Sequence, residues 1–371
     1  MVTFIKITPK SHQHKRPLTT KNMNRIIHIF IILAVFACSK ANVNTDNQIN
    51  TLPISNQIVV AQDGSGSFKN IQDAINSISK KADKERVIFI KNGTYKEKIY
   101  LDGIQFLTLK GESEKGVIIT ISEARDIWSC NAANKADWGV ATVNISQSTD
   151  ISFNNITVIN SYGFEASDTP ITIDCSTDAT GKKTIRKDGH QMSLRTFSGA
   201  TRLSFKNCTF RAFGGDTVSP WDGTVGMYYF KECTMEGGVD FYCPRGWSYA
   251  EDCHFICHNT SAALWHDGSA NKEAKTVLKN CTFEGDKGYK LGRYHLESQF
   301  YLIDCTFSDL MADADIYAAT SGTGTPLWGR RVFYKNCHRQ SGNDFVWLKD
   351  NWVIDSKTIN SSWVFDGKWK P

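Results

Sequence analysis

Apolar and polar residues alternate over most of the chain after residue 85, in short runs that glycine or asparagine turns separate. Typical runs are RVIFIKNGTYKEKIYL at 86–101 and ISFNNITVIN at 151–160. This period of two predicts β-strands with one buried face. Just before them, apolar residues from Ile71 to Ile78 recur at i, i+3, i+4 and i+7, which predicts a short helix with Asn70 as its N-cap. We expect this helix to cap the open end of a strand stack.

One short phrase recurs along the strand-rich part of the chain. It reads LSFKNCTF at 203–210 and YYFKECTM at 228–235, and similar copies lie before and after these two. From Cys208 onward, the central cysteine recurs at spacings of 25, 20, 28, 24 and 32 residues. A strand-bearing repeat of this length, with no helical pattern between copies, predicts a solenoid. Because parallel crossovers are right-handed as a rule, we interpret the fold as all-β, a right-handed parallel β-helix.

The chain contains 11 cysteines, which in an exported protein ordinarily indicate disulfides. The repeat favours another arrangement, in which the phrase cysteines point inward and stack from coil to coil as a ladder of buried thiols. Cys130 and Cys175 are exceptions, because they flank the polar insertions at 123–140 and 161–190. They could pair if their Cα atoms come within reach. Long loops of this kind are often functional, and we expect the two insertions to wall a groove along one side of the solenoid.

An aspartate follows each of the first two phrase cysteines. Asp216 lies eight residues after Cys208, and Asp240 lies seven residues after Cys233. Strands of neighbouring coils stack about 4.8 Å apart, so the two carboxyl groups are expected side by side on one outer face. Paired carboxylates are a recurrent acid/base and nucleophile arrangement. The alternative is that both are simple turn residues, because Asp is common in loops.

The N-terminus has the pattern of an export signal. Residues 26–37 form a short apolar run that ends at Cys38 and is preceded by Lys21 and Arg25. The run is too short for a membrane span and is typical of a signal peptide. We predict a signal at 1–38, with Met23 as an alternative start.

The residues Val35 to Cys38 resemble a bacterial lipoprotein lipobox, which implies cleavage before Cys38 and acylation of its thiol. The alternative is an ordinary secretory signal with an incidental cysteine. The polar, Asn-rich residues 39–56 suit a tether. We therefore expect an outer-membrane lipoprotein, periplasmic or at the cell surface, with secretion as the alternative, and a β-helix domain at 57–371.

Composition adds few constraints. An apolar share of 41% permits a large core, and the net charge of +5 comes largely from residues before Arg25. No basic run is interleaved with aromatic residues later in the chain, so we expect no nucleic-acid partner.

Six motifs occur in the order in which they are found in pectin methylesterases. They are VAQDGSGSFKNIQDAINSI, GTYKEKI, HQMSL, GDTV, GVDFYCPRG and KLGRYH, and the resemblance runs from about Ile58 to the C-terminus. The resemblance implies a right-handed parallel β-helix with an exposed cleft and no metal or other cofactor. It further implies hydrolysis of the methyl esters of pectin, the methyl-esterified homogalacturonan. We also expect the protein to be a monomer.

The resemblance also implies roles for single residues. Asp240 matches the family's nucleophile and Asp216 its general acid/base. Gln191 of HQMSL matches a donor to the oxyanion, and Arg293 of KLGRYH matches the arginine that orients the nucleophile. Such an arginine is expected to lower the pKa of the nucleophile, and a neighbouring negative charge is expected to raise the pKa of the acid.

The chain departs from the family pattern in three places. Gly215 stands where the family usually has a second oxyanion glutamine, and Tyr294-His295 replaces the usual Pro-Trp. The segment after the nucleophile is Tyr242-Cys243-Pro244-Arg245. The predicted cleft aromatics are Phe241, Tyr294, Trp221 and Trp247.

Two other functions are compatible with a β-helix. A pectate lyase would need a calcium site of clustered carboxylates. A non-catalytic pectin-binding protein would bind without releasing methanol, and Gly215 is the residue that favours it.

Overall fold

Strands dominate the computed structural model, which describes residues 57–134, 136–269, 271–319 and 327–371. The predicted signal at 1–38 with Cys38, and the predicted tether at 39–56, lie outside the described residues. The described helices are α1 (Ile71–Asn76), α2 (Arg125–Ser129), α3 (Tyr162–Glu165) and α4 (Ser361–Val364), with a 3₁₀ turn at Ser356–Thr358. The strands are β1 (Ile58–Val60), β2 (Arg86–Ile90), β3 (Gly93–Tyr95), β4 (Ile99–Asp102), β5 (Gln105–Gly111), β6 (Val117–Ile121), β7 (Val143–Ser146), β8 (Thr149–Asn154), β9 (Thr157–Asn160), β10 (Ile171–Asp174), β11 (Lys182–Ile185), β12 (Leu194–Thr196), β13 (Thr201–Lys206), β14 (Thr209–Arg211), β15 (Val218–Ser219), β16 (Met227–Lys231), β17 (Thr234–Gly237), β18 (Trp247–Glu251), β19 (His254–Cys257), β20 (Ala262–His266), β21 (Thr276–Lys279), β22 (Thr282–Gly285), β23 (Lys290–Tyr294), β24 (Phe300–Ile303), β25 (Thr306–Phe307), β26 (Tyr317–Ala318), β27 (Val332–Lys335) and β28 (His338–Arg339).

Three parallel sheets run along the solenoid, and each coil of the chain adds strands to them in turn. Sheet A has the order β1-β2-β5-β8-β13-β16-β18-β21-β24-β27, and sheet B has the order β3-β6-β9-β14-β17-β19-β22-β25-β28. Sheet C consists of β4-β7-β12-β15 and β20-β23-β26, which isolated bridges from Tyr242 to Val218 and Leu264 connect. The predicted right-handed parallel β-helix is confirmed.

The inward faces of the repeat phrases form the core. Phe205 and Phe230 occupy the same phrase position in consecutive coils, and their rings stack with centroids 4.8 Å apart. Phe255 and Phe283 repeat this contact at 4.7 Å further along. All four side chains are fully buried. The period-two pattern therefore becomes a column of stacked rings, because parallel pairing in register places equivalent residues directly above one another.

The predicted thiol ladder is present at the corner between sheets A and B. Each ladder cysteine is buried, and its thiol donates to a backbone carbonyl of the preceding coil, as from Cys233 to Phe205 at 3.4 Å. The residue before each cysteine has a positive φ, for example 50° at Asn207. Asn and Asp tolerate this left-handed conformation better than most other side chains, which explains the Asn or Asp before five of the six cysteines; Glu232 stands before Cys233. The ladder consists of Cys208, Cys233, Cys253, Cys281, Cys305 and Cys337.

Helix α1 lies at the N-terminal end of the solenoid and buries Ile71, Ala74 and Ile75. Its N-terminus is capped differently from the prediction, because the side chain of Asn70 makes no capping hydrogen bond. The carboxylate of Glu97 instead accepts from the backbone N–H groups of the first two helical residues, at 2.9 Å each. The sequence could not show this cap, since Glu97 comes from the next coil. None of the described helices is long and apolar enough to cross a bilayer.

The two insertions lie between coils and are joined covalently. The first, at 123–140, carries α2, and the second, at 161–190, carries α3 and the antiparallel hairpin β10-β11. Cys130 and Cys175 form a disulfide with Cα atoms 4.6 Å apart. The pairing that the sequence left open is therefore made, and it fastens the hairpin to the first insertion.

Removing this disulfide should loosen the second insertion. Because the bridge closes a loop with a sequence separation of 45 residues, we expect Cys130→Ser/Cys175→Ser to lower the free energy of unfolding by about 2–4 kcal/mol. Limited proteolysis should cut first within 161–190. Wild-type protein treated with reductant should behave like the double variant. Identical proteolysis and melting of the variant and the oxidised wild type would contradict the expectation.

Candidate active site

Asp216 and Asp240 occupy the same corner, between sheets B and C, in consecutive coils. Asp216 lies between β14 and β15, and Asp240 follows β17. Both have left-handed backbones, with φ of 57° and 55°. The N–H of Asp216 donates to the carbonyl of Val239 at 3.3 Å, which binds one corner directly onto the next. Asp216 and Asp240 are therefore both turn residues, and they also lie next to each other on consecutive coils.

Arg293 reaches the acid pair from strand β23, two coils further on. Its Nε donates to Asp240 Oδ1 at 2.9 Å, and a terminal nitrogen donates to Oδ2 at 2.5 Å. The charge of Asp216 acts on both Arg293 and Asp240, so the three groups form one electrostatic cluster. The structure thus brings together the predicted nucleophile, acid/base and arginine, and holds one carboxylate in a bidentate ion pair.

Burial changes the pKa of Asp240 more than Arg293 does. The side chain of Asp240 is only 8% exposed. Burial raises the pKa of Asp240, the hydrogen bonds and charge of Arg293 lower it without outweighing burial, and the charge of Asp216 raises it further. Arg293 lowers the pKa of Asp240 as expected, but the net pKa is raised, because desolvation of a nearly buried carboxylate exceeds the gain from one partly exposed guanidinium.

The side chain of Gln191 is hydrogen-bonded to backbone groups. Its side chain is fully buried, and its amide nitrogen donates to the carbonyls of Lys187 and, at 3.2 Å, Gly189. Its amide oxygen accepts from the N–H of Gly163 at 3.0 Å. In this structure the amide hydrogens of Gln191 are engaged with backbone carbonyls, and its role as an oxyanion donor stays a prediction. The amide satisfies backbone groups of the second insertion, which would otherwise be buried without partners.

His190, the residue before Gln191, lies beside Asp216 and Asp240. It pairs with Gly215 in a parallel bridge, and a Cβ built on Gly215 would lie 2.9 Å from His190 Cδ2. The charge of His190 acts on Asp240 and lowers its pKa. The sequence prediction missed His190. The one available signal was Gly215, because the missing side chain leaves room for a ring from the preceding coil.

Three of the four predicted cleft aromatics are core residues. Phe241 is 0%, Trp247 is 2% and Tyr294 is 6% exposed. The ring of Phe241 contacts that of Phe255 in the core, and the indole N–H of Trp247 donates to Asp366 under the C-terminal segment. The prediction that these three side chains line a cleft is wrong, because each points into packed interior instead of toward the acids.

Trp221 is partly exposed, as predicted for a cleft residue, and stacks against the guanidinium groups of Arg195 and Arg245. A second tryptophan was missed. Trp265 pairs with Arg293 in the β20–β23 ladder, is partly exposed, and has its ring centroid 4.9 Å from that guanidinium. It therefore lies on the outer face of sheet C beside the acid pair. The segment AALWH at 262–266 is apolar except at its end, so its pattern did not show which residues face outward.

The cavity next to His190 has a volume of about 430 Å³ and is polar. Its lining includes Asp188, Val239 and Asn259. Within the described ranges, no three His, Cys, Asp or Glu side chains cluster closely enough to hold a metal ion.

A family model described as Pectinesterase matches residues 57–215. Among curated relatives, "Probable pectinesterase/pectinesterase inhibitor 58" of Arabidopsis thaliana is 28% identical over 240 residues, which cover 62% of this chain and 36% of that protein. "Pectinesterase 31" of the same plant is 26% identical over 247 residues, covering 63% of this chain and 68% of that protein. The chain thus spans about a third of the length of one relative and two thirds of the other.

A solved pectin methylesterase in complex with hexasaccharide VII has the same fold, with a TM-score of 0.65 at 21% identity over 85% of this chain and 98% of that one. The family model ends at Gly215, so Asp216, Asp240 and Arg293 lie beyond it. The shared fold covers 85% of this chain, so the likeness in fold extends beyond the residues that the family model matches. The chain is thus similar in sequence to pectinesterases and has the fold of a solved pectin methylesterase.

Proposed function

We propose that this protein is a pectin methylesterase, which hydrolyses methyl esters on galacturonate units and releases methanol. The observation that carries the proposal is the corner cluster: Asp240 held bidentately by Arg293, with Asp216 at the same corner of the preceding coil. A carboxylate fixed beside a second carboxyl group suits ester hydrolysis through a covalent intermediate.

The reaction divides between the two acids. Ionised Asp240 attacks the ester carbonyl carbon, and the carbonyl electron pair moves onto oxygen. As the tetrahedral intermediate collapses, protonated Asp216 gives its proton to the departing methoxide, so methanol leaves and an acyl anhydride on Asp240 remains. Asp216, now ionised, takes a proton from water, and the resulting hydroxide attacks the anhydride. Collapse releases the galacturonate acid and regenerates the carboxylate of Asp240, and the proton that Asp216 took up is available for the next ester.

Arg293 supports the first step by keeping Asp240 oriented. Two parallel hydrogen bonds leave the carboxylate little rotational freedom.

Trp265 and Trp221 are the aromatic surfaces that we assign to sugar rings. We expect Trp265→Ala to raise the KM for pectin about 3–10-fold while kcat changes less than about twofold, since a lost stacking contact weakens substrate and transition state alike. Steady-state kinetics of methanol release would measure this. Trp347→Ala, a partly buried tryptophan near the C-terminal end, is the matched control. An unchanged KM in Trp265→Ala would remove that residue from the binding surface.

Product analysis tests the proposed reaction. Wild-type protein incubated with highly methylated pectin should release methanol, with or without a chelator. An unsaturated uronate product that requires calcium would instead identify a lyase. Binding to pectin without either product would identify a non-catalytic binding protein.

We further propose that the protein is exported and held at a membrane through a lipid on Cys38, and that the β-helix domain is a monomer. The support is the apolar run at 26–37, its ending at a cysteine, and the polar stretch that follows. Metabolic labelling with a radioactive fatty acid tests the anchor, and absence of label would contradict it. Light scattering tests the monomer.

A further inference from the structure

The corner cluster needs a hydrogen-bond donor for the oxyanion, and most nearby donors are already engaged. The amide of Gln191 is bound to backbone carbonyls, and Gly215 has no side chain. Arg293 gives two of its donors to Asp240. The backbone N–H groups of the two acids donate to Val239 and to Ala262, the latter at 2.7 Å.

His190 differs from all of these. His190 is exposed, and none of the hydrogen bonds among the described residues involves its imidazole ring. It enters from the coil before Asp216, just as Asp216 enters from the coil before Asp240. The three residues thus come from three consecutive coils at one passage between sheets B and C.

Gly215 and His190 form a matched pair. A Cβ at position 215 would lie 2.9 Å from the imidazole and 2.6 Å from the carbonyl oxygen of Val239. Any larger residue there would push the ring away or distort the backbone of the next coil. The glycine that removes one donor therefore admits the ring that can replace it.

We propose that an imidazole N–H of His190 hydrogen-bonds the ester carbonyl oxygen and the oxyanion that forms on it. This inference rests on the proposed esterase function. The proton stays on the ring nitrogen throughout, so Asp216 remains the group that transfers protons. Neutral imidazole has one N–H donor and imidazolium has two, so either form can serve. The contact strengthens as charge develops on the oxygen, so it accelerates the chemical step rather than improving ground-state binding.

The experiment compares methanol release by the wild type, His190→Ala and His190→Gln. His190→Ala should lower kcat about 10²–10³-fold with little change in KM, which is typical of a lost oxyanion donor. His190→Gln, which keeps a neutral donor, should recover at least about a tenth of the wild-type kcat. Added imidazole should partly restore His190→Ala, which a purely structural role would not allow. His338→Ala, an exposed histidine far along the chain, is the control, and melting curves show that each variant is folded.

Each outcome separates the two proposals. A wild type that releases no methanol overturns the esterase function, and this inference with it. An active wild type with a kcat of His190→Ala within about threefold of its own overturns only the inference. So does a folded His190→Gln as inactive as His190→Ala, with no response to imidazole.

Discussion

Asp240→Asn is expected to lower the kcat of methanol release by about 10⁴-fold or more, because the amide cannot attack the ester and form an anhydride. KM should change little, since the shape of the side chain is kept. The measurement is steady-state methanol release from highly methylated pectin. Mass spectrometry of quenched reactions adds a second readout, because the variant should carry no covalent sugar.

Asp252→Asn is the matched control for this change. Asp252 is also a corner aspartate with a positive φ, of 56°, but it lies between sheets A and B and is exposed. The same chemical substitution in the same backbone conformation should leave kcat unchanged there. If Asp240→Asn kept more than about a tenth of the activity, Asp240 would not be the nucleophile and the mechanism proposed above would fail.

Arg293→Ala should lower kcat/KM about 10²–10³-fold and move the acid limb of its pH profile to higher pH. The sign follows from the groups around Asp240. Burial and Asp216 raise the pKa of Asp240, and Arg293 opposes them. Without the guanidinium, the pKa of Asp240 rises further, so less of the nucleophilic carboxylate is present at any pH below that value. Profiles of kcat/KM from about pH 4 to 9 would measure the shift, over the range in which carboxyl groups of this kind titrate.

Arg293→Lys distinguishes charge from geometry. A lysine keeps the positive charge but cannot form two parallel hydrogen bonds, so its acid limb should lie between those of the wild type and Arg293→Ala. Arg202→Lys provides the matched control, because Arg202 makes an equivalent bidentate pair with Asp150, at 2.7 and 2.6 Å, on sheet A. An acid limb of Arg293→Ala that stays in place or moves to lower pH would show that Arg293 does not sustain the charge of Asp240.

The raised pKa of Asp240 also bears on how the site works in the wild type. The pKa of the buried Asp240 lies above the ordinary aspartate value, so this carboxyl group is protonated at low pH. The ionised, nucleophilic form becomes populated only as the pH rises. The wild-type acid limb should therefore lie above the ordinary aspartate value, and activity should fall as the pH decreases through it. In the proposed mechanism, burial of Asp240 therefore limits activity at low pH.

The architecture could be predicted from the sequence because its causes are local and repeated. Alternation with a period of two specifies strands, and the recurring phrase around Cys208 and Cys233 sets the phase of successive coils. In-register parallel stacking then brings equivalent positions together, so Asp216 and Asp240 had to share a corner once the phase was known. The buried thiols followed from the same phase.

The direction of individual side chains near the corner was decided only by the tertiary structure. Adjacent residues point to opposite faces, so a shift of one position exchanges His190 for Gln191, and the resemblance could not tell which of them faces the acids. The backbone of Asp240 has a positive φ, which interrupts the alternation of inward and outward side chains at the corner. Phe241 after it is buried, whereas Trp265 on the next coil is partly exposed.

The sequence by itself therefore determined the β-helix and the shared corner of the two acids, because these depend on short-range periodicity. The tertiary structure decided that the ring of His190 lies beside Gly215 and that the amide of Gln191 binds backbone carbonyls. It also decided that Cys130 pairs with Cys175 and that burial raises the pKa of Asp240 by more than Arg293 lowers it. Those properties depend on how closely separate coils and insertions pack, and no local pattern of residues specifies that distance.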